Sequence, residues 1–154
     1  MNSYHPKKTA ASNALTDLIR AVLRMSAHAD RIGSTLTKGF DLSNARWVTL
    51  GELYMSPERM TVSQLARRLG LSRQAVQHLA NELGSDGLLT FVDNPHDRRA
   101  MHLALTEQGQ ATYRATLERE WQWTNMVAEG FAAGDLQQAV LLIDAVTKKM
   151  ADNA

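Results

Sequence analysis

Arg73, Gln74, Gln77, His78 and Asn81 recur at spacings that gather them on one side of an α-helix, at about 100° per residue. Ala75, Val76, Leu79, Ala80 and Leu83 take the other side, and Glu82 falls at the boundary. Solvent-facing helices are usually filled with Glu and Lys, which favour helix and solubility. Two glutamines, an asparagine, an imidazole and a guanidinium match base edges instead. Gln and Asn pair bidentately with adenine, and Arg with guanine, in the major groove. A solvated face without a partner has the same polarity, so the surroundings decide. Downstream, Asp97-Arg98-Arg99 offers two guanidiniums in a stretch that also holds Asn94-Pro95. A narrow minor groove and its phosphates accept such arginines, and the Asp97 carboxylate is expected to orient one of them as a bidentate pair. Taken alone, the same triplet is an ordinary charged turn that keeps a strand pair soluble.

Other chemistries find little support. The chain has no cysteine, which removes disulfides, thiolate zinc sites, iron-sulfur clusters and thiol nucleophiles or redox switches. Its five histidines, His5, His28, His78, His96 and His102, show no spacing that sets two ligands on one helical face. No glycine-rich phosphate loop, nucleophile elbow or paired carboxylates stand out, and Asp17, Asp30, Glu118 and Glu120 read as solvated helix charges. Neither an enzyme nor a cofactor or metal site is expected. With 154 residues, 44% of them apolar and 21% charged, the composition fits one globular domain rather than a disordered polyelectrolyte. The longest apolar run, Ala139 to Ile143, is far short of the roughly 20 residues that span a bilayer. No apolar segment follows Lys7 and Lys8 as in a signal peptide, so a cytoplasmic protein without membrane contact is expected.

The net charge of +1 is unevenly distributed. Through Arg99 the chain carries thirteen basic and nine acidic residues; beyond it, four basic and seven acidic. Between Glu58 and Glu82 there is no acid, whereas Arg59, Arg67, Arg68 and Arg73 all fall there. Such a patch suits a polyanion.

The elements that would position these groups are legible from periodicity. Leu15, Leu18, Val22, Met25, Ala29, Ile32 and Leu36 alternate spacings of 3 and 4, the seam of a helix about 33 Å long. That exceeds what one small core requires, so part of the seam should pack on another helix or subunit. A second helix is expected from Leu42 or Ser43 to Met55, with Trp47, Val48, Leu50, Leu53 and Tyr54 spread around it, hence central. Ser63 reads as the N-cap of a short helix to Leu69, closed by Gly70. Ser72 caps the next, to about Leu83. Two short helices joined by so tight a turn must cross steeply, as in a helix-turn-helix. Strands are expected at Leu88–Val92 and Ala100–Leu105 with an exposed loop between them. Thr106 then caps a helix to about Gly130, and a last helix from near Asp135 buries Leu136, Ala139, Val140, Ile143, Val146 and Met150.

From Thr61 to Gly109 the sequence TVSQLARRLGLSRQAVQHLANELGSDGLLTFVDNPHDRRAMHLALTEQG resembles the winged-helix core of MarR-type transcriptional regulators. SQLARRLGLSRQAV, GLL, DRR and LTEQG occur in the family's order and spacing. The resemblance implies a mainly α (α+β) fold: a winged helix-turn-helix lobe at 41–105 between dimerisation helices at 1–40 and 106–154, all one intertwined domain. It implies an obligate homodimer on a pseudo-palindromic double-stranded operator, acting as a repressor. Ser72, Arg73, Gln74, Gln77 and His78 would face the major groove, Arg98 or Arg99 the minor groove, and Asp97 would buttress the wing. Ser63, Arg67 and Arg68 become candidate phosphate contacts. Many relatives have a hydroxyl residue and then arginine where Gln77 and His78 stand, and a basic residue in place of Met101, so base preference does not transfer. Members of the family often release DNA when a small aromatic molecule enters a crevice between the dimer helices and the winged helix. Arg20, His28, Trp47, Trp121 and Trp123 are candidates to line it, although helical tryptophans are commonly core. Without cysteine, the effector would act non-covalently. The competing expectation is a winged-helix module that docks a protein instead of DNA, which would suit the modest net charge.

Overall fold

Hydroxyl and glycine residues set most of the element boundaries in the computed structural model, which describes residues 8–95, 97 and 99–153. Helix α1 spans Ala10–Leu36, with Thr9 Oγ1 accepting from the Ser12 amide at its start. Helix α2, Asn44–Met55, is capped by Ser43 as expected. Strand β1, Met60–Thr61, leads directly into α3, Val62–Leu69, and after a short turn into α4, Arg73–Ser85. Strands β2, Leu89–Val92, and β3, His102–Leu105, precede α5, Glu107–Ala128, and α6, Ala133–Ala151.

The cap of α3 differs from the sequence expectation. Thr61, not Ser63, is the N-cap: its Oγ1 accepts from the Gln64 amide at 3.3 Å while Gln64 Oε1 accepts from the Thr61 amide at 2.8 Å. This reciprocal box satisfies two otherwise orphaned donors. Three residues past Ser63 stands Ala66, which has no side chain to return the bond, so Ser63 becomes an exposed residue in the first turn. At the other end Gly70 adopts φ 66°, the left-handed conformation that lets the chain turn sharply into α4.

The sheet is antiparallel with order β1-β3-β2, pairing Met60 with Leu103 and Leu89 with Leu105. The chain divides into two compact units, the first ending at Leu117 and the second starting at Glu118, both positions within α5. In the first unit α2 is central, packing on α1, α4 and β3. Leu50, Leu65, Val76, Leu83 and Leu103 form a closed core with Tyr113. Close approach fixes the start of α5: a Cβ on Gly109 would sit 1.9 Å from the Leu88 carbonyl oxygen. Thr106 Oγ1 donates to Gly87 O and accepts from Gly109 N, so the roots of both strands are tied to α5. Two ion pairs join α2 to the helix-turn-helix, Arg46 with Asp86 and Glu52 with Arg68. Helix α1 buries only Gly33; Leu15 and Met25 of its seam are exposed, while Leu18, Val22, Ile32 and Leu36 are half-buried.

In the second unit α6 has no buried residue, contrary to the expectation that its apolar stripe would be covered. Val140 is 57% exposed and Leu141 69%. The periodicity is present, but among the described residues only Ile143 and Val146 of the stripe are half-buried and the rest stays exposed. Glu120 also departs from the expected solvated charge. It is half-buried, its Oε2 has no hydrogen-bond partner among the described residues, and burial raises its pKa above the ordinary carboxylate range. No described helix is long and apolar enough to cross a membrane.

Candidate nucleic-acid interface

Helix α4 separates its residues as the wheel requires. Val76, Ala80 and Leu83 are fully buried, Leu79 is half-buried, and Arg73, Gln74, Gln77, His78 and Asn81 are exposed. The inward face docks on α3 and β2, so burial of small apolar side chains holds the polar face outward. Ser72 Oγ accepts from the Ala75 amide at 3.1 Å; its oxygen is therefore engaged in capping the start of the helix, and its hydroxyl proton is free to donate. Ala75, at the margin of the apolar sector, is exposed.

The outward face is internally ordered. Gln77 Nε2 donates to Asn81 Oδ1 at 2.9 Å, and His78 Nε2 lies 3.4 Å from Glu82 Oε1. Both couples are one helical turn apart. Glu82 is thus the acid nearest the recognition face, set at its C-terminal edge.

Between this face and the wing lies a groove of about 380 Å³. It is lined by Thr61, Val62, Ser63, Arg73, Gln77, Asn81, Phe91, Arg99, Ala100 and Met101. The structure therefore brings Ser63, Arg73, Gln77 and Arg99 to one concavity that, among the described residues, holds two guanidiniums and no carboxylate. Gln74 and His78 are exposed on α4 but do not line it. Of the remaining candidates for phosphates, Arg67 is exposed, while Arg68 is paired with Glu52. Asn81, which the helix phase put on the base-matching face, also lines the groove, as does Met101, which was not among the expected site residues.

Hydrogen bonds from two short side chains shape the wing. Asp97 Oδ1 accepts from the Arg99 amide at 2.9 Å, so this carboxylate organises backbone at the turn. Asn94, which is buried, donates from Nδ2 to the Ala100 carbonyl at 3.0 Å and closes the loop across its base. Asn94-Pro95 was the sequence signal for a turn, yet it did not single out Asn94 as the residue that holds it. Arg98 and His96 lie outside the described residues.

The suggested ligand residues are placed differently. In the first unit the Trp47 indole donates to Thr116 Oγ1 at 2.9 Å, and Thr116, fully buried, donates on to the Tyr113 carbonyl. That is a core role, with the indole nitrogen satisfied. Arg20 is an exposed partner of Asp17 at 3.6 Å, and His28 Nδ1 lies 2.8 Å from Arg31 Nη2. A cavity of about 510 Å³ in this unit is lined by Leu53, Tyr54, Arg59, Leu105 and Gln110 among others, and by none of these three. In the second unit Trp121 is exposed and Trp123 half-buried. Among the described residues no cluster of three His, Asp or Glu side chains is arranged to hold a metal ion.

Three helices and a hairpin of this order define a winged helix-turn-helix, with α4 as the exposed recognition helix. The MarR family profile matches residues 40–100, the segment that carries α2 to β2 and the residues between β2 and β3 up to Ala100. An uncharacterized protein of Mycobacterium tuberculosis H37Rv is 33% identical over 126 residues, covering 82% of this chain and 87% of that one. Among solved structures, the transcriptional regulator BldR from Sulfolobus solfataricus superposes with a TM-score of 0.76 at 18% identity, covering 90% of this chain and 99% of that one. A MarR family regulator from Listeria monocytogenes, complexed with 26mer DNA, also gives 0.76 at 18% identity, over 88% of this chain and 89% of that one. The chain belongs to the MarR family of transcriptional regulators.

Proposed function

We propose that the protein is a sequence-specific regulator that binds double-stranded DNA as a homodimer on a pseudo-palindromic operator and represses transcription from it. The observation that carries this reading is the outward face of α4: Arg73, Gln77 and Asn81 project into a groove shared with Arg99 and free of acids. These are the side-chain types that discriminate bases in the major groove, while wing arginines suit the adjacent phosphates or minor groove. The Listeria relative complexed with DNA supports the same use of the fold. The bare stripe on α6 and the open seam of α1 support the homodimer, because contiguous apolar surface of this kind marks an interface. The family resemblance supports repression and release by a small molecule held without a covalent bond. Since Trp47 is committed to Thr116, such a molecule would have to find its apolar wall elsewhere.

The test is a gel-shift series on the promoter beside the protein's own gene at several salt concentrations. Affinity should fall steeply with log salt as neutralised phosphates release counterions. Arg99→Ala should weaken binding to all sequences and reduce the salt slope by about 1, whereas Arg73→Ala should cost about 1–3 kcal/mol at one base pair and relax preference there. Absence of any shift at low salt would replace this reading with a protein-docking module.

A further inference from the structure

The polar side of α4 contains two amides that bond to each other. Gln77 Nε2 donates to Asn81 Oδ1 at 2.9 Å, both residues are exposed, and neither side chain makes another hydrogen bond among the described residues. A side-chain amide has two N–H donors and one carbonyl acceptor. With one N–H given to Asn81, Gln77 keeps one N–H and Oε1, the pair that a bidentate contact to adenine N7 and N6 consumes. Asn81, with one lone pair of its oxygen engaged by Gln77, keeps both of its N–H donors free.

We propose that Asn81 is a specificity-determining residue: it holds the Gln77 amide in the orientation that reads adenine and donates from its own Nδ2 to an acceptor on the neighbouring base pair. This deepens, and rests on, the DNA-binding reading above. A free glutamine presents its oxygen and nitrogen interchangeably by rotating its last torsion, and so tolerates several base edges. Reversing the Gln77 amide alone would turn its oxygen toward the Asn81 oxygen, which repels it, so the two amides turn only together. The pair therefore couples the two polarities: while Gln77 offers an acceptor and a donor to one base, Asn81 offers its donors to the next. The acceptors that Asn81 could meet in the major groove are guanine O6 and N7, thymine O4 and adenine N7. Arg73 and Arg99 line the same groove; on the reading above Arg73 meets a base pair of its own and Arg99 adds affinity for any sequence, so neither replaces this pair.

The experiment uses the full-length protein and a half-site obtained by selection from a randomised duplex library. Asn81→Ala should lower the preference for adenine at one position about tenfold and broaden the adjacent position, with affinity for unselected DNA and the salt slope unchanged. Asn81→Asp retains the acceptor that holds Gln77 and loses the donors, so it should keep the adenine preference and lose only the adjacent one. Replacing that adenine by 7-deazaadenine should weaken wild type and Asn81→Asp but leave Asn81→Ala unaffected. The proposal is overturned if Asn81→Ala selects the same site with the same discrimination, or if it loses affinity equally for all sequences. Failure of the wild-type protein to bind any duplex at low salt would instead overturn the DNA-binding reading itself.

Discussion

Helices α4 and α6 have comparable apolar periodicity but opposite fates in the single chain. On α4, Val76, Ala80 and Leu83 are sealed against neighbouring elements and the polar residues look outward. On α6, Val140, Leu141 and Leu142 stay exposed and no residue is buried. The helix-turn-helix lobe completes its own core, whereas the amphipathic pattern of α6 buries none of its residues among the described residues. On the homodimer proposed above, the first region would serve stability and the second assembly.

Substitutions at the two sites should separate these roles. The largest expected effect is that of Leu83→Ala, which leaves a cavity in the closed core. It should cost about 3 kcal/mol in urea denaturation at any protein concentration. An equal loss from Leu141→Ala would erase the contrast. Next, Val140→Asp should barely affect the unfolding of an isolated protomer but place a charge in the proposed subunit interface. Sedimentation should then show a dimer for the wild type and a monomer for the variant, whose melting temperature should no longer rise with concentration. A dimer that survives the substitution unchanged would remove α6 from the interface.

The smallest effect concerns Glu120, and its sign depends on pH. Burial raises its folded-state pKa, so ionisation costs the folded state more than the unfolded one. The penalty is absent in acid, where the group is protonated in both states, and grows as pH rises through the unfolded and then the folded value. Glu120→Gln should therefore raise the melting temperature modestly near neutral pH and leave it unchanged in strong acid. A gain that persists in acid would reflect packing and not charge.

Features closed by local chemistry were readable in the sequence. Ser43, Ser72 and Gly70 mark their boundaries because a cap or a left-handed turn depends on residues a few positions apart. The true start of α3 was equally local: Thr61 and Gln64 have capping-box spacing, and Ser63 distracted from it. Strand β1 was not legible, since two residues carry no alternation and its pairing with Leu103 and His102 is set by the fold. The same holds for Arg68, whose partner Glu52 lies sixteen positions away. It holds for Glu120 too, whose loss of solvent belongs to packing rather than to its helix position. At the candidate interface the residue types of α4 were evident from composition and phase. The bond between Gln77 and Asn81 was only implicit in their spacing of four, and the placement of Met101 in the groove required the sheet.

The roots of the wing have a mechanical consequence. Thr106 binds Gly87 and Gly109, and Gly109 meets the Leu88 carbonyl without room for a methyl group. The hairpin is thus a cantilever clamped at one end, and displacement of a cantilever grows with distance from its clamp. On the DNA-binding reading, accommodation of duplexes with different groove widths would fall to the end that carries Arg99, while the clamped roots of the strands stay with the start of α5. One protein would in this way tolerate variation in DNA shape without loosening the frame that holds α4.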